Sequence, residues 1–152
     1  MRLSDLLEPA LVKVPLAGGS KPAVIAELVD LIHAAGRTRD RDRLLEAVLA
    51  RERQRTTAVG RGLAIPHAKT DACPVLVVAL GRTSEPLDFE AIDGNPVRLV
   101  VLVAGPVDQA SQQIQVLARV SRLVINDEAL SQLLAADSAH SLIEVVRSHE
   151  SP

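Results

Sequence analysis

The chain reads as an α/β protein, a three-layer sandwich in which a mixed central β-sheet carries helices on both faces. Three observations support that expectation. Val75-Leu76-Val77-Val78-Ala79-Leu80 and Val97-Arg98-Leu99-Val100-Val101-Leu102-Val103 are β-branched runs bounded by proline and glycine. They are apolar at nearly every position, as strands buried on both faces are. Segments of helical spacing flank them on both sides in the chain. Helices, strands and helices follow one another without the strict alternation of a parallel βαβ array, which points to a mixed sheet.

Each element has its own signal. Leu11, Val12, Val14 and Leu16 make a short extended segment that ends at Gly18-Gly19. Ser20 is suited to cap a helix with Pro22 in its first turn. Ile25, Leu28, Val29 and Ile32 follow at helical spacing, and Gly36 stops the helix. A second helix is expected from about Asp40 to Arg53, with Leu44, Leu45, Val48 and Leu49 on its apolar face. The charged series Arg37, Arg39, Asp40, Arg41, Asp42 and Arg43 faces outward. Turn chemistry at Glu85-Pro86 and at Asp93-Gly94-Asn95-Pro96 lies between the two strands. Helical spacing returns from Asp108 to Ile125, with Ile114, Leu117, Val120, Ser121 and Val124 expected inward. Two shorter helices follow near Glu128–Ala135 and Ala139–Ser148, the last capped by Asp137 or Ser138. No repeat, low-complexity tract or linker interrupts the 152 residues, so residues 1–152 are expected to form one domain.

Composition narrows the function. Apolar residues make up 47% of the chain, yet Trp and Tyr are absent and Phe89 is the only aromatic. Base-stacking nucleic-acid modules depend on aromatic side chains, and a net charge of −2 offers no general field for DNA or an anionic membrane. Nucleic acid is therefore not expected as a partner. No apolar run approaches the roughly 18–20 residues of a membrane span, and residues 1–20 lack a signal-peptide pattern. The single cysteine, Cys73, cannot form an intrachain bridge and fits a reducing compartment, so a cytoplasmic location is expected.

The stretch Gly60-Arg61-Gly62-Leu63-Ala64-Ile65-Pro66-His67 is the most informative in the chain. Two glycines permit a tight turn, three apolar residues suit a buried extended run, and Pro66 fixes the backbone just before a histidine. The ring of His67 is thereby presented at the rim of the fold. A neutral imidazole is nucleophilic, and a phosphorylated ring nitrogen is a good leaving group, so such a residue can accept and pass on a phosphoryl group. Transfer also needs charge stabilisation, for which the planar fork of arginine is suited. Arg51, Arg53, Arg55 and Arg61 lie close in sequence, although most of them fit a solvated helix end. Backbone N–H groups around Gly60, Gly62 and Ala68 are further candidate donors. There is no Walker loop or kinase signature to grip ATP, which makes a phosphorylated protein the expected donor. The spacing of His33, His67, His140, His149 and Cys73 matches no usual metal-ligand pattern, and no Gly-x-Ser-x-Gly elbow occurs. No cofactor or metal is expected.

With these residues in view, the chain resembles the fructose/mannitol-type enzyme IIA domain of the bacterial phosphoenolpyruvate-dependent phosphotransferase system, a class that includes nitrogen-regulatory members. The resemblance rests on Arg51-Glu52, Thr57, Gly60, Gly62 and Ala64-Ile65-Pro66-His67. It continues through Phe89, Ala91, Asp93-Gly94, Pro96-Val97, Pro106 and the Ile114-x-x-Leu117 helix, covering about residues 4 to 147. It implies that His67 is the phosphorylated histidine and that a phosphocarrier of the HPr type is the donor. Arg51 matches an arginine near the phosphohistidine, and Thr57 falls where a hydroxyl residue lies close to the site. A IIB protein or a regulatory target is the implied acceptor, and the implied fold is a mixed sheet between helices.

Two positions depart from the pattern. Gln113 stands where the family usually carries a second active-site histidine, and Ala58 stands where glycine is common. Glutamine can still donate a hydrogen bond but carries no positive charge. The missing histidine, and the lack of an attached IIB or membrane IIC segment, tilt the reading toward a regulatory binding module controlled by His67 phosphorylation. A phosphocarrier that accepts the group on His67 and passes it on, for sugar uptake or as a signal, is still the first reading, and the regulatory module and a degenerate, never-phosphorylated binder are its alternatives. Sugar, downstream partner and oligomeric state have no signature in these residues.

Overall fold

Alternation along two long strands decides the architecture. In the computed structural model, which describes residues 2–150, the strands β5 (Val77–Leu87) and β6 (Val97–Gly105) pair antiparallel at the centre of the sheet. Val77, Ala79, Val100, Leu102 and Ala104 point into one apolar cluster, and Val78, Leu80, Leu99, Val101 and Val103 into the other. Successive strand side chains face opposite sides, so an uninterrupted apolar run must be covered twice.

Helices α2 (Lys21–Ala34) and α3 (Arg41–Gln54) cover the first face with Ile25, Leu28, Ile32, Leu44 and Val48. The second face is covered by α1 (Leu3–Leu6), α4 (Ala110–Ile125), α5 (Asp127–Ala135) and α6 (Ala139–His149). The protein is thus the three-layer sandwich its sequence predicts.

The sheet is mixed. β1 (Val12–Leu16) lies parallel to β5. On the far side, β6 pairs in parallel with β3 (Leu63–Ala64), which pairs antiparallel with β2 (Ala58–Gly60). The short β4 (His67–Lys69) also runs parallel to β6, off the main path β1-β5-β6-β3-β2.

Caps fall where side-chain oxygens allow them. Ser20, Asp40, Asn126 and Ser138 accept backbone N–H groups at the starts of α2, α3, α5 and α6. Ser138, rather than Asp137, closes a capping box with Ser141. Gly36, at φ +73°, ends α2 with Gly36 N–H on the His33 carbonyl and Arg37 N–H on that of Ile32. That pattern is a Schellman closure.

Two expectations need correction. Glu85-Pro86 is not a turn, because β5 runs on through it to Leu87. The pairing slips between Arg82 and Leu87, and residues 84–86 are exposed. A proline that cannot donate to the ladder is tolerated at such an irregularity. The inward face of α4 is Gln113, Val116, Val120 and Val124, whereas Ile114 is 65% exposed. The four-residue helix α1 has too few residues to show a periodic pattern, and the sequence did not reveal it.

Candidate active site

The glycine-rich stretch is a hairpin leading into a strand. Arg61 and Gly62 form the turn between β2 and β3 with φ of +57° and +79°. Positive φ at both central residues is the type I′ geometry of two-residue hairpins. Glycine adopts it freely. Arg61 does so while its Nε donates to the Val124 carbonyl (2.7 Å) and its guanidinium pairs with Asp127. From there the chain runs beside β6 in constant register, Leu63 against Leu99, Ala64 against Val100 and His67 against Val103. Pro66 interrupts the assigned strand but not the alignment, since its carbonyl still accepts the Val103 N–H at 3.0 Å. His67 is therefore placed by a sheet and not by a loop.

One bond sets the chemistry of the ring. Nδ1 of His67 lies 2.7 Å from the carbonyl oxygen of Ile65. A carbonyl only accepts, so Nδ1 carries the proton in the neutral ring and Nε2 keeps the lone pair. Burial holds the imidazole pKa below its ordinary value of 6.5. The charges of Arg51 and Lys69 push the same way, against the upward pull of the Ile65 carbonyl and the Glu52 carboxylate. The half-buried ring is thus neutral at pH 7, with a defined nucleophilic nitrogen.

His67 lies where two open clefts meet, of about 420 and 320 Å³. Arg51 lines both, as does Leu117. One Arg51 N–H is held by the Arg55 carbonyl at 2.9 Å, and its remaining donors have no partner among the described residues. Thr57 lines the first cleft, but it is buried and its hydroxyl donates to Glu52 at 2.6 Å. Gln113 lines the second, also buried, with Nε2 donating to the Ala68 carbonyl at 3.0 Å. The four residues singled out by sequence are therefore gathered around one ring.

The other candidates separate. Arg55 lines the first cleft and Lys69 the second, whereas Arg53 pairs with Glu46 at the surface and Arg61 is tied to α4 and α5. Gly60 and Gly62 shape the hairpin and line neither cleft, while Ala68 lines one of them. Ile114 turns outward from the core to line the second cleft, and Val59 and Ile92, 59% and 77% exposed, line the first. These three side chains make an apolar rim around the cations of the two clefts.

Sequence reasoning gave Glu52 only as part of the resemblance, without a role, and missed Lys21. Glu52 is 6% exposed and pairs with Lys21 at 2.9 Å, and both line a third cleft that does not contain His67. Leu44, Val48 and Glu52 recur at intervals of four, so Glu52 is a carboxylate on the apolar stripe of α3, which is a legible signal. Lys21, 31 positions earlier, carries none.

The α/β sandwich thus carries a half-buried neutral histidine, its Nδ1 on the Ile65 carbonyl, in clefts that the Arg51 guanidinium also lines. Residues 5–149 match the family described as phosphoenolpyruvate-dependent sugar phosphotransferase system, EIIA 2, and the chain belongs to that family. Over 99% of its length it is 35% identical to a fructose-specific EIIABC component of Bacillus subtilis, of which it spans 24%. It is 34% identical to a nitrogen regulatory protein of Bradyrhizobium diazoefficiens, over 96% of this chain and 95% of that one. The fold is that of the nitrogen regulatory protein IIA-Ntr of Neisseria meningitidis, with a TM-score of 0.87 and 24% identity over 95% of this chain and 98% of that one. It is also that of enzyme IIA mannitol in its complex with phosphorylated enzyme IIB mannitol from Escherichia coli, with a TM-score of 0.81 and 18% identity over 93% of this chain and 97% of that one. No helix among the described residues is long and apolar enough to cross a membrane.

Proposed function

We propose that residues 1–152 work as one cytoplasmic IIA domain whose His67 accepts a phosphoryl group from a phosphorylated HPr-type carrier. The observation that carries this reading is the Nδ1 bond to Ile65, which leaves Nε2 as the attacking atom. The Nε2 lone pair forms the new N–P bond as the donor's P–N bond breaks, and the donor nitrogen recovers the pair. Positive charge then grows on the ring of His67, and the Ile65 carbonyl stabilises it through the retained Nδ1 proton. Because that proton stays, the ring leaves as neutral imidazole when the phosphoryl group is passed on. Arg51 supplies guanidinium donors for the phosphoryl oxygens, and Gln113 fixes β4 through Ala68. The apolar rim of Val59, Ile92 and Ile114 suits a protein as donor.

Onward transfer to a IIB protein is one output, and a regulatory contact read in one phosphorylation state is the other. The uncharged Gln113 favours the second, while fructose-specific EIIA and nitrogen regulatory relatives are alike to this chain over nearly the whole of both chains and favour neither. A phosphoryl group adds nearly two negative charges at a cleft, enough to make or break a docking contact. The test is incubation with phosphoenolpyruvate, enzyme I and HPr, followed by addition of IIB proteins and, separately, capture of partners by each phospho-state. Acid-labile, base-stable label on the protein supports the acceptor reading, and its absence leaves only the unphosphorylated binder. Transfer to IIB identifies the carrier, and state-dependent capture without transfer identifies the regulator.

The depressed pKa of His67 has a defined sign. The neutral ring is the nucleophile, so the rate of phosphoryl acceptance is expected to be flat around pH 7. It should fall only on the acid side of 6.5, as pH drops through the lowered value. The same shift means that the unfolded chain binds this proton more tightly. The contribution to stability is therefore complete above pH 6.5 and is lost as pH falls through the folded-state value. An NMR titration of the ring alongside the pH–rate profile of labelling measures both, and a midpoint at or above 6.5 would contradict the assignment.

A further inference from the structure

We infer that Glu52, anchored by Lys21, is a positioning residue for the His67 nucleophile, acting through the backbone of Thr57 and Ile65. The proposal rests on the acceptor reading above, and four linked contacts carry it. Lys21 Nζ lies 2.9 Å from Glu52 Oε2. Glu52 accepts the Thr57 N–H at 3.0 Å and the Thr57 hydroxyl at 2.6 Å. The Thr57 carbonyl accepts the Ile65 N–H at 3.0 Å. The Ile65 carbonyl then accepts the Nδ1 proton of His67 at 2.7 Å.

Every member except the ring itself is well shielded. Glu52, Thr57 and Ile65 are 6%, 4% and 3% exposed, and the Lys21 side chain 18%. A carboxylate is buried this deeply only when it is paired and hydrogen-bonded, and here both oxygens are engaged. The ammonium also sits 5.5 Å from the centroid of the Phe89 ring, which gives it a second, apolar support. The consequence is geometric. Thr57 immediately precedes β2, and Ile65 lies between β3 and β4, so the pair forms one rung where the hairpin leaves the sheet. Glu52 on α3 fixes that rung from the helix side. The orientation of the Ile65 carbonyl, and with it the choice of protonated nitrogen, then depends on a carboxylate that contacts neither donor nor phosphoryl group.

Glu52→Gln is the test, because the amide keeps the shape and removes the charge that holds the Lys21 ammonium. It also either loses the Thr57 N–H or turns the Thr57 hydroxyl from donor to acceptor. The expected result is a roughly 10- to 100-fold fall in kcat for phosphoryl acceptance from phospho-HPr, with KM unchanged. In the unphosphorylated variant, ¹⁵N NMR of His67 should show the Nε2–H tautomer mixed with the Nδ1–H form, whereas the parent protein shows Nδ1–H alone. Lys21→Met removes the anchor but keeps an apolar stem, and should move both readouts the same way by less. It also serves if Glu52→Gln does not fold. Glu46→Gln breaks an exposed ion pair on the same helix and should change neither readout. A single Nδ1–H tautomer with unaltered kcat in folded Glu52→Gln or Lys21→Met overturns the proposal, as does an equal effect from Glu46→Gln. The tautomer is read without phosphorylation. A parent protein that takes no label therefore refutes the acceptor reading while leaving the positioning role decided by NMR.

Discussion

His67→Ala is expected to fold and to take no phosphoryl group. The ring is half-buried, and its one hydrogen bond is to a carbonyl beside an open cleft, where water can replace it. The stability cost is therefore about 1 kcal/mol, the size of a single hydrogen bond lost next to solvent. The kinetic cost is of another order. Removing a nucleophile leaves only binding and electrostatic preorganisation, and the rate of acceptance should fall by about 10⁴-fold or more. Transfer of label from phosphoenolpyruvate through enzyme I and HPr, with circular dichroism to establish folding, measures both. Persistent base-stable label on the folded variant would move the acceptor elsewhere. Arg51 is a companion but not a substitute, because a guanidinium that stays protonated has no free lone pair with which to attack phosphorus.

Phe89→Ala should produce the largest loss of stability of any single truncation. Phe89 is the only aromatic residue and is fully buried in the layer formed with α2 and α3. Its ring supports the Lys21 ammonium, and its carbonyl accepts the Thr56 hydroxyl at 2.5 Å. Truncating a buried phenylalanine costs about 3–5 kcal/mol through lost transfer energy and the cavity left behind. That is a large part of the roughly 5–15 kcal/mol that holds a domain together. At about 2–4 °C per kcal/mol for a chain of this size, the melting temperature should drop by roughly 6–20 °C. The chain has no Trp or Tyr, so the transition must be followed by far-ultraviolet circular dichroism. A midpoint lowered with unchanged denaturant dependence is the expected outcome. A shift below about 1 kcal/mol would show that the site collapses around the gap.

The layers were legible because burial on both faces erases alternation, and β5 and β6 show that pattern plainly. Helix starts were legible wherever a side-chain oxygen could cap, as at Ser20 and Asp40. The strands β2, β3 and β4 are two or three residues long, too short for any period, and only the glycine, proline and histidine chemistry marked the place. Ile114 was misread for a physical reason. Two apolar stripes overlap on α4: Ile114 lines one of the clefts around His67, whereas Leu117 lines both and also packs against the core. His67, Arg51, Thr57 and Gln113 could be singled out because their motif is local or their resemblance specific. Lys21 was not, since an ammonium that pairs with Glu52 across 31 residues leaves no periodic trace.

His67 stands on a strand held in constant register against β6, so its own backbone has no order left to gain when a partner docks. Ordering mobile segments is a main entropic penalty of association, so this surface can receive a partner at little conformational expense. Encounters can then be brief, with specificity coming from shape and charge already in place. Residence time is left to the few side chains at the edge.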